Sequence, residues 1–184
     1  GGTTGPAGAE GCRSQTPSPP AIGPYKVEDA AWIVDDFGTG ASYWQVETWA
    51  NPATLRVADG ELKIELGEGK HDKSAIARAA TLDLSDRSKL ILDVRNDGQK
   101  DVKVAIAFTT GGANTFFETE QATAKPGLNK NIAFDLKSEK FKSQATEWKH
   151  SAKISDANAV KRVIILIYGE SKGVLCLDNI RFEK

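Results

Sequence analysis

Glu118 and Glu120 lie two apart in the stretch TFFETEQA, residues 115–122. On a strand, residues at that spacing point to one face. Two carboxylates on one face are the tools of acid/base cleavage of a glycosidic bond. The simpler reading is a solvated strand face, and a third is a lone carboxylate, Glu118, that accepts hydrogen bonds from ligand hydroxyls. His71 and His150 sit in polar stretches with no Cys, His or carboxylate at zinc spacing. The chain has no G-x-S-x-G, no Walker-type loop and no C-x-x-C, so nucleophilic and phosphoryl-transfer chemistry have no support.

Aromatic planes offer a different chemistry, because they pack on the apolar faces of pyranose rings while planar polar groups bond the ring hydroxyls. The chain carries four Trp. Trp44 and Trp49 are five apart in SYWQVETWA, residues 42–50, so on a regular strand they face opposite ways. Trp49 shares its face with Tyr43, Gln45 and Glu47, which predicts that Trp49 is exposed and Trp44 is core. Trp148 lies among Lys and Glu in a polar stretch, as a ligand platform or as a loop anchor. Arg78 and Arg95 interrupt apolar strands as candidate hydrogen-bond donors, and Arg95 shares a face with Asp93. The small face Ala105/Ala107 either leaves room for a ligand or packs tightly against another segment.

A third feature is GVLCLDNIRFEK, residues 173–184. It alternates as a strand yet carries Asp178 and Asn179 in its middle, where such residues are depleted. A buried carboxylate needs a partner. Asp178 therefore binds a metal or a polar network, or Asp178 and Asn179 cap a strand end by bonding backbone.

The elements that position these residues are short strands. AWIVDDF (31–37) and SYWQVETWA (42–50) each read as one. TLRVADGELKIEL (54–66) reads as two strands around Asp59-Gly60, the strongest hairpin signal in the chain. SAIARAATLDL (74–84), KLILDVRND (89–97), DVKVAIAFTT (101–110), TFFETEQA (115–122) and KNIAFDL (130–136) follow, separated by Gly, Pro and Asp turns. The stretch Lys137 to Asn158 is polar and irregular. VKRVIILIYG (160–169) is apolar on both faces, as a covered central strand would be. About ten strands without a long helix predict an all-β sandwich or barrel.

Residues 1–24 are dense in Gly, Pro, Ser and Thr and read as a flexible linker, with the domain spanning 25–184. The net charge of −1 argues against nucleic-acid binding and a polybasic membrane surface. No apolar run approaches the ~18–20 residues of a membrane span. No leader with an apolar core is visible at the start. The chain contains no Met, as expected of a mature chain or a piece of a longer one. Of its two cysteines, Cys176 reads as a buried thiol and Cys12 as an exposed one. A disulfide between them and lipidation of Cys12 are the other readings, although Glu10 stands where a lipidation signal has a small residue.

The VDDF opening (34–37), the alternating middle and the closing VLCLDNIRF (174–182) together resemble the β-jelly-roll carbohydrate-binding modules of the galactose-binding-domain-like superfamily. The resemblance covers roughly 31–183. It implies two antiparallel sheets forming a jelly-roll sandwich. It also implies a non-catalytic, monomeric module of a larger secreted or cell-surface protein that docks a polysaccharide across a concave sheet. Trp49 and Trp148 would stack, and Arg78, Arg95 and Glu118 would bond hydroxyls. A structural calcium, which takes ~6–8 oxygens, would draw on Asp178 with Asp35 or Asp36. Jelly-roll glycanases of the laminarinase type carry a Glu-x-Asp-x-x-Glu run, which ETEQATA lacks, so the alternatives of a small glycanase or lyase using Glu118 and Glu120, or of a structural interaction domain, stand behind this expectation.

Overall fold

A computed structural model describes residues 22–169 and 172–184 of the chain. Residues 1–21 of the expected linker, with Cys12, lie outside the described residues. Ile22 packs against the core.

Among the described residues the chain forms twelve strands. They are β1 (Ala31–Asp35), β2 (Gln45–Val46), β3 (Ala53–Ala58), β4 (Glu61–Leu66), β5 (Lys73–Leu82), β6 (Lys89–Asn96), β7 (Val102–Thr110), β8 (Thr115–Glu118), β9 (Ala122–Ala124), β10 (Gly127–Asp135), β11 (Val160–Tyr168) and β12 (Gly173–Glu183). They build two antiparallel sheets. The first has the order β10-β6-β12-β4-β3, with β1 also on β12. The second has the order β2-β5-β11-β7-β8, with β9 also on β7. The chain passes from one sheet to the other at β1–β2, β2–β3, β4–β5, β5–β6, β6–β7, β9–β10, β10–β11 and β11–β12. The result is a jelly-roll β-sandwich, as the alternating strands led us to expect.

Period-two alternation builds the core. Leu90, Leu92 and Val94 of β6, Leu175 and Leu177 of β12, and Leu62 and Ile64 of β4 point into the gap from the first sheet. Val104, Ile106 and Phe108 of β7 meet them from the second sheet, together with Val163, Ile165 and Ile167 of β11. β3 and β4 form the expected hairpin. Asp59 and Gly60 have φ of 54° and 74°, which a two-residue turn matched to strand twist requires.

Two expected strands are shorter than the periodicity suggested. Of residues 42–50 only Gln45–Val46 pair, with Ala77 and Ile76 of β5, and the chain turns at Thr48–Trp49. TFFETEQA breaks after Glu118 because the Thr119 N–H bonds the Ile106 carbonyl at 2.8 Å, and pairing resumes only at Ala122.

The Asp178–Asn179 interruption is a β-bulge. Register against β6 shifts between Asp178 and Arg181, and Asn179 adopts φ 50°, a conformation that Asn tolerates better than most residues. A second bulge lies across β6 in β10, where Asn131 has φ 58°. Both close on Asp93. Its carboxylate accepts the Asn131 N–H at 2.9 Å and the Asn179 side-chain amide at 2.8 Å. Arg181 then bonds the Asn131 side-chain oxygen at 2.7 Å and the Asn179 carbonyl at 2.9 Å. Asn179 thus joins a polar network, whereas the Asp178 carboxylate accepts the N–H of its neighbour Asn179 at 2.8 Å.

Fully buried Arg87 holds the start of the fold. It donates to the carbonyls of Val27 at 2.6 Å and Ala30 at 3.3 Å, and its guanidinium lies 4.0 Å over the Trp32 ring. Tyr25 stacks on the same indole at 5.0 Å.

Candidate functional site

The outer face of the second sheet carries the site. In the registered rows across it, Ala77, Ile164, Ala107 and Glu118 stand side by side. In the next row stand Ala79, Arg162, Thr109 and Phe116. Alternation dictates this: Phe108 and Phe117 face the core, so their neighbours Ala107, Thr109, Phe116 and Glu118 face out.

Two irregular segments bring aromatic rings to these rows. The turn carrying Trp49 is tied to β5 at both ends, by Glu47 N–H to the Ala75 carbonyl at 2.8 Å and Asn51 N–H to the Lys73 carbonyl at 2.9 Å. Buried Asn51 also bonds the backbone of His71 twice, at 2.6 and 2.8 Å. A Cβ on Gly69 would lie 2.2 Å from the Asn51 side-chain oxygen, so this tuck requires glycine there. The second segment follows Phe141. Lys142 and Glu118 exchange backbone hydrogen bonds of 2.9 and 3.0 Å, which extends the sheet beyond β8. A 3-10 turn, Gln144–Thr146, ends in two successive left-handed residues, Glu147 and Trp148, with φ 54° and 63°. Such residues carry backbone strain of order 1 kcal/mol or more each, and here they turn the Trp148 indole back over the sheet.

The outcome is an aromatic corner. Trp49 meets Phe116 edge-on, with centroids 6.4 Å apart at 89°, and Phe116 meets Trp148 at 6.0 Å and 67°. Trp49 is 40% exposed and Trp148 is 53% exposed, whereas Trp44 is 4% exposed and belongs to the core. The corner walls a groove of about 580 Å³ whose lining includes Lys73, Glu118 and Lys142. Arg162 lines this groove and an adjoining hollow of about 530 Å³ beside Tyr43 and Gln45.

The polar floor is tightly organised. The Tyr168 hydroxyl donates to Glu118 Oε2 at 2.6 Å, and Lys142 Nζ stands 3.4 Å from the same oxygen. Burial, then the hydrogen bond to Glu118 and its charge, push the Tyr168 phenol well above its ordinary range, so it stays a proton donor at neutral pH. Lys73 and Lys142 lie 5.2 and 5.9 Å over the Tyr168 ring. The Thr109 hydroxyl is buried in this lining without a hydrogen-bond partner among the described residues.

The structure sorts the residues singled out in the sequence. Trp49, Trp148 and Glu118 converge on the groove. Arg78 lines the adjoining hollow instead, with its guanidinium 5.5 Å from the centre of the Tyr43 ring. It stands between Ile76 and Ala80 on the inward phase of β5, opposite Val163 of the core. Its side chain crosses to β1, where it pairs with Asp35 at 3.1 Å and donates to the Val34 carbonyl at 3.3 Å. Arg95 belongs to the first sheet, where it pairs with Glu61 at 3.2 Å in a different hollow, beside Cys176. Glu118 and Glu120 are not a facing pair. Glu120 lines another hollow and approaches Lys140 at 3.9 Å, because the strand ends between them.

The expected calcium ligands are also divided. Asp35 accepts the Phe37 N–H at 3.1 Å, the Trp44 indole N–H at 3.2 Å and Arg78, so it does not fit as a metal ligand. Burial nevertheless pushes its carboxyl up, against the lowering by those partners. Asp178 is raised too, by burial first and then by the charges of Glu61, Asp93 and Asp36. Among the described residues no three His, Cys, Asp or Glu form a group placed to hold a metal. Asp36 and Asp178 would be the side-chain ligands of a calcium here, with backbone carbonyls supplying further oxygens.

Sequence reasoning missed Phe116, Tyr168, Lys73, Lys142 and Arg162. The parity that put Glu118 outward also puts Phe116 outward, so that signal was present. Lys142 had none, because its place depends on a loop folding back to β8.

No protein-family model and no curated protein matches the sequence. Solved structures do resemble the fold. A family 11 carbohydrate-binding module from Clostridium thermocellum, solved with a β-1,3-1,4-mixed-linked tetrasaccharide, matches with TM-score 0.61 at 16% identity, covering 83% of this chain and 95% of that one. A carbohydrate-binding module of family 28, specific for non-crystalline cellulose, matches with TM-score 0.63 at 15% identity, covering 91% and 97%. An agarase matches with TM-score 0.62 at 16% identity over 85% of this chain, which spans 25% of the agarase. The chain has the β-jelly-roll fold of carbohydrate-binding modules.

Proposed function

We propose that this domain is a non-catalytic module that binds a polysaccharide chain along the outer face of its second sheet. The observation that carries this reading is the exposed corner of Trp49, Phe116 and Trp148 over a groove floored by polar groups already fixed in place. Aromatic rings in such a wall pack on the apolar faces of sugar rings. Lys73, Lys142 and Arg162 line the same groove as donors for sugar hydroxyls, and the buried Glu118 carboxylate holds Tyr168 and Lys142 in place beneath them. Most of their ordering cost is met in folding, which favours binding.

The similar solved structures support a glycan as the ligand, and the agarase, of which this chain spans 25%, supports a place for this domain within a larger protein; a secreted or cell-surface setting belongs to the same proposal. No helix among the described residues is long and apolar enough to cross a membrane. The glycanase alternative would need Glu118 and Glu120 across one cleft, and they line different hollows.

Affinity electrophoresis tests the reading. Native gels cast with mixed-linkage β-1,3-1,4-glucan, soluble cellulose derivative or agarose should retard the domain in at least one case. Retardation should vanish for the double variant Trp49→Ala/Trp148→Ala. Equal mobility of wild type and variant in every gel would overturn it.

A further inference from the structure

Trp49 sits at the tip of a turn and is 40% exposed, so backbone anchoring alone does not fix its ring. The indole N–H donates to Glu47 Oε2 at 2.9 Å. The other oxygen of that carboxylate forms an ion pair with Arg162 Nη2. The Glu47 side chain is only 14% exposed, and its own backbone N–H is tied to β5 through the Ala75 carbonyl. Arg162 stands on the sheet in register between Ala79 and Thr109, at the seam of the two hollows.

From this geometry we propose that Glu47 is the positioning residue of the glycan site. One carboxylate, held to the sheet, orients the Trp49 ring edge-on to Phe116 with one oxygen and sets the Arg162 guanidinium with the other. It couples the stacking surface of the groove to the donor at its seam without itself needing to touch the ligand. An exposed ion pair would ordinarily contribute little. This pair differs because the carboxylate is largely buried and also binds the indole, and hydrogen bonds to a charged acceptor are the stronger kind. The proposal rests on the glycan-binding reading for its consequence, but the orientation of Trp49 can be read without any ligand.

The test compares Glu47→Ala, Glu47→Gln and Trp49→Phe. Glutamine keeps an acceptor for the indole and loses the charge opposite Arg162. Alanine loses both, and phenylalanine at 49 has no N–H to hold. In the ligand-free protein, Glu47→Ala should increase acrylamide quenching of tryptophan fluorescence, and Glu47→Gln should not. In the Trp49→Phe background, Glu47→Ala should leave quenching unchanged. Against the glucan, cellulose or agarose gel that retards the wild type, Glu47→Ala should weaken affinity about tenfold, as expected for loss of one charged hydrogen bond. Glu47→Gln should stay within about threefold, and both variants should melt near the wild type. Unchanged quenching in Glu47→Ala overturns the positioning role whatever the gels show. Wild-type mobility unaffected by all three gels overturns the glycan reading instead and leaves the quenching result to decide Glu47.

Discussion

Arg78→Ala removes the cation that joins β5 of one sheet to Asp35 of the other. The side chains of this pair are 7% and 12% exposed, so the deletion leaves a carboxylate in a poorly solvated place. Breaking a buried pair from one side costs ~3–5 kcal/mol. Asp35 keeps two donors, the Phe37 N–H and the Trp44 indole N–H, which places the expected loss near the lower end, about 3 kcal/mol. For a domain of this size ~1 kcal/mol moves the melting point by ~2–4 °C, so the variant should melt ~6–12 °C below wild type. Arg78 is one of the groups holding the Asp35 carboxyl down against burial. Without it that carboxyl rises further and protonates sooner in the folded state, so the melting deficit should narrow as pH falls from about 7 toward about 4.5. Asp35→Asn/Arg78→Met, which removes both charges, should recover most of the loss. Thermal melts by circular dichroism at the two pH values read the stability, and affinity gels run well below the melting point read the ligand site. A variant that melts within ~2 °C of wild type but loses glycan retention would refute the argument and put Arg78 among the ligand contacts.

Three other outcomes follow from the same geometry. Trp49→Ala, Phe116→Ala and Trp148→Ala should each weaken glycan retention by ~1–3 kcal/mol, on the scale of base–aromatic stacking, while melting nearly as wild type. Trp44→Ala, inside the core, should instead cost ~3–5 kcal/mol of stability. Because the Asp178 carboxyl is raised in the fold, its favourable contribution is complete below the ordinary carboxylate range and is lost as pH rises through its folded value. Asp178→Asn should therefore raise the melting point at neutral pH and flatten its decline from about pH 4 to 7; a lower melting point would mean that the carboxylate has a stabilising partner. With Asp35 committed to Arg78, chelator should leave the melting point unchanged, whereas a rise on adding calcium that Asp178→Ala abolishes would assign a cation to Asp36 and Asp178.

Much of the sandwich was legible in the sequence because alternation is local. β6, β7, β11 and β12 lie close to where their apolar periodicity put them, and Asp59-Gly60 announced its hairpin. The split between Trp44 and Trp49 was also readable, although the residues after Val46 form a turn and not the strand that the argument assumed. Periodicity says which residues of a strand share a face. It does not say which sheet the strand joins or which face another segment covers. Arg78 and Arg95 look alike in the sequence, each a cation interrupting an apolar strand. Only the pairing of β5 with β11 turns Arg78 into the gap toward Asp35, 43 residues away, and only the pairing of β6 with β12 carries Arg95 to the opposite sheet. The groove has the same origin. Trp49 meets Phe116, Phe116 meets Trp148, and Glu118 meets Tyr168, 50 residues on, because strand order brings distant segments together, and no spacing along the chain encodes that order.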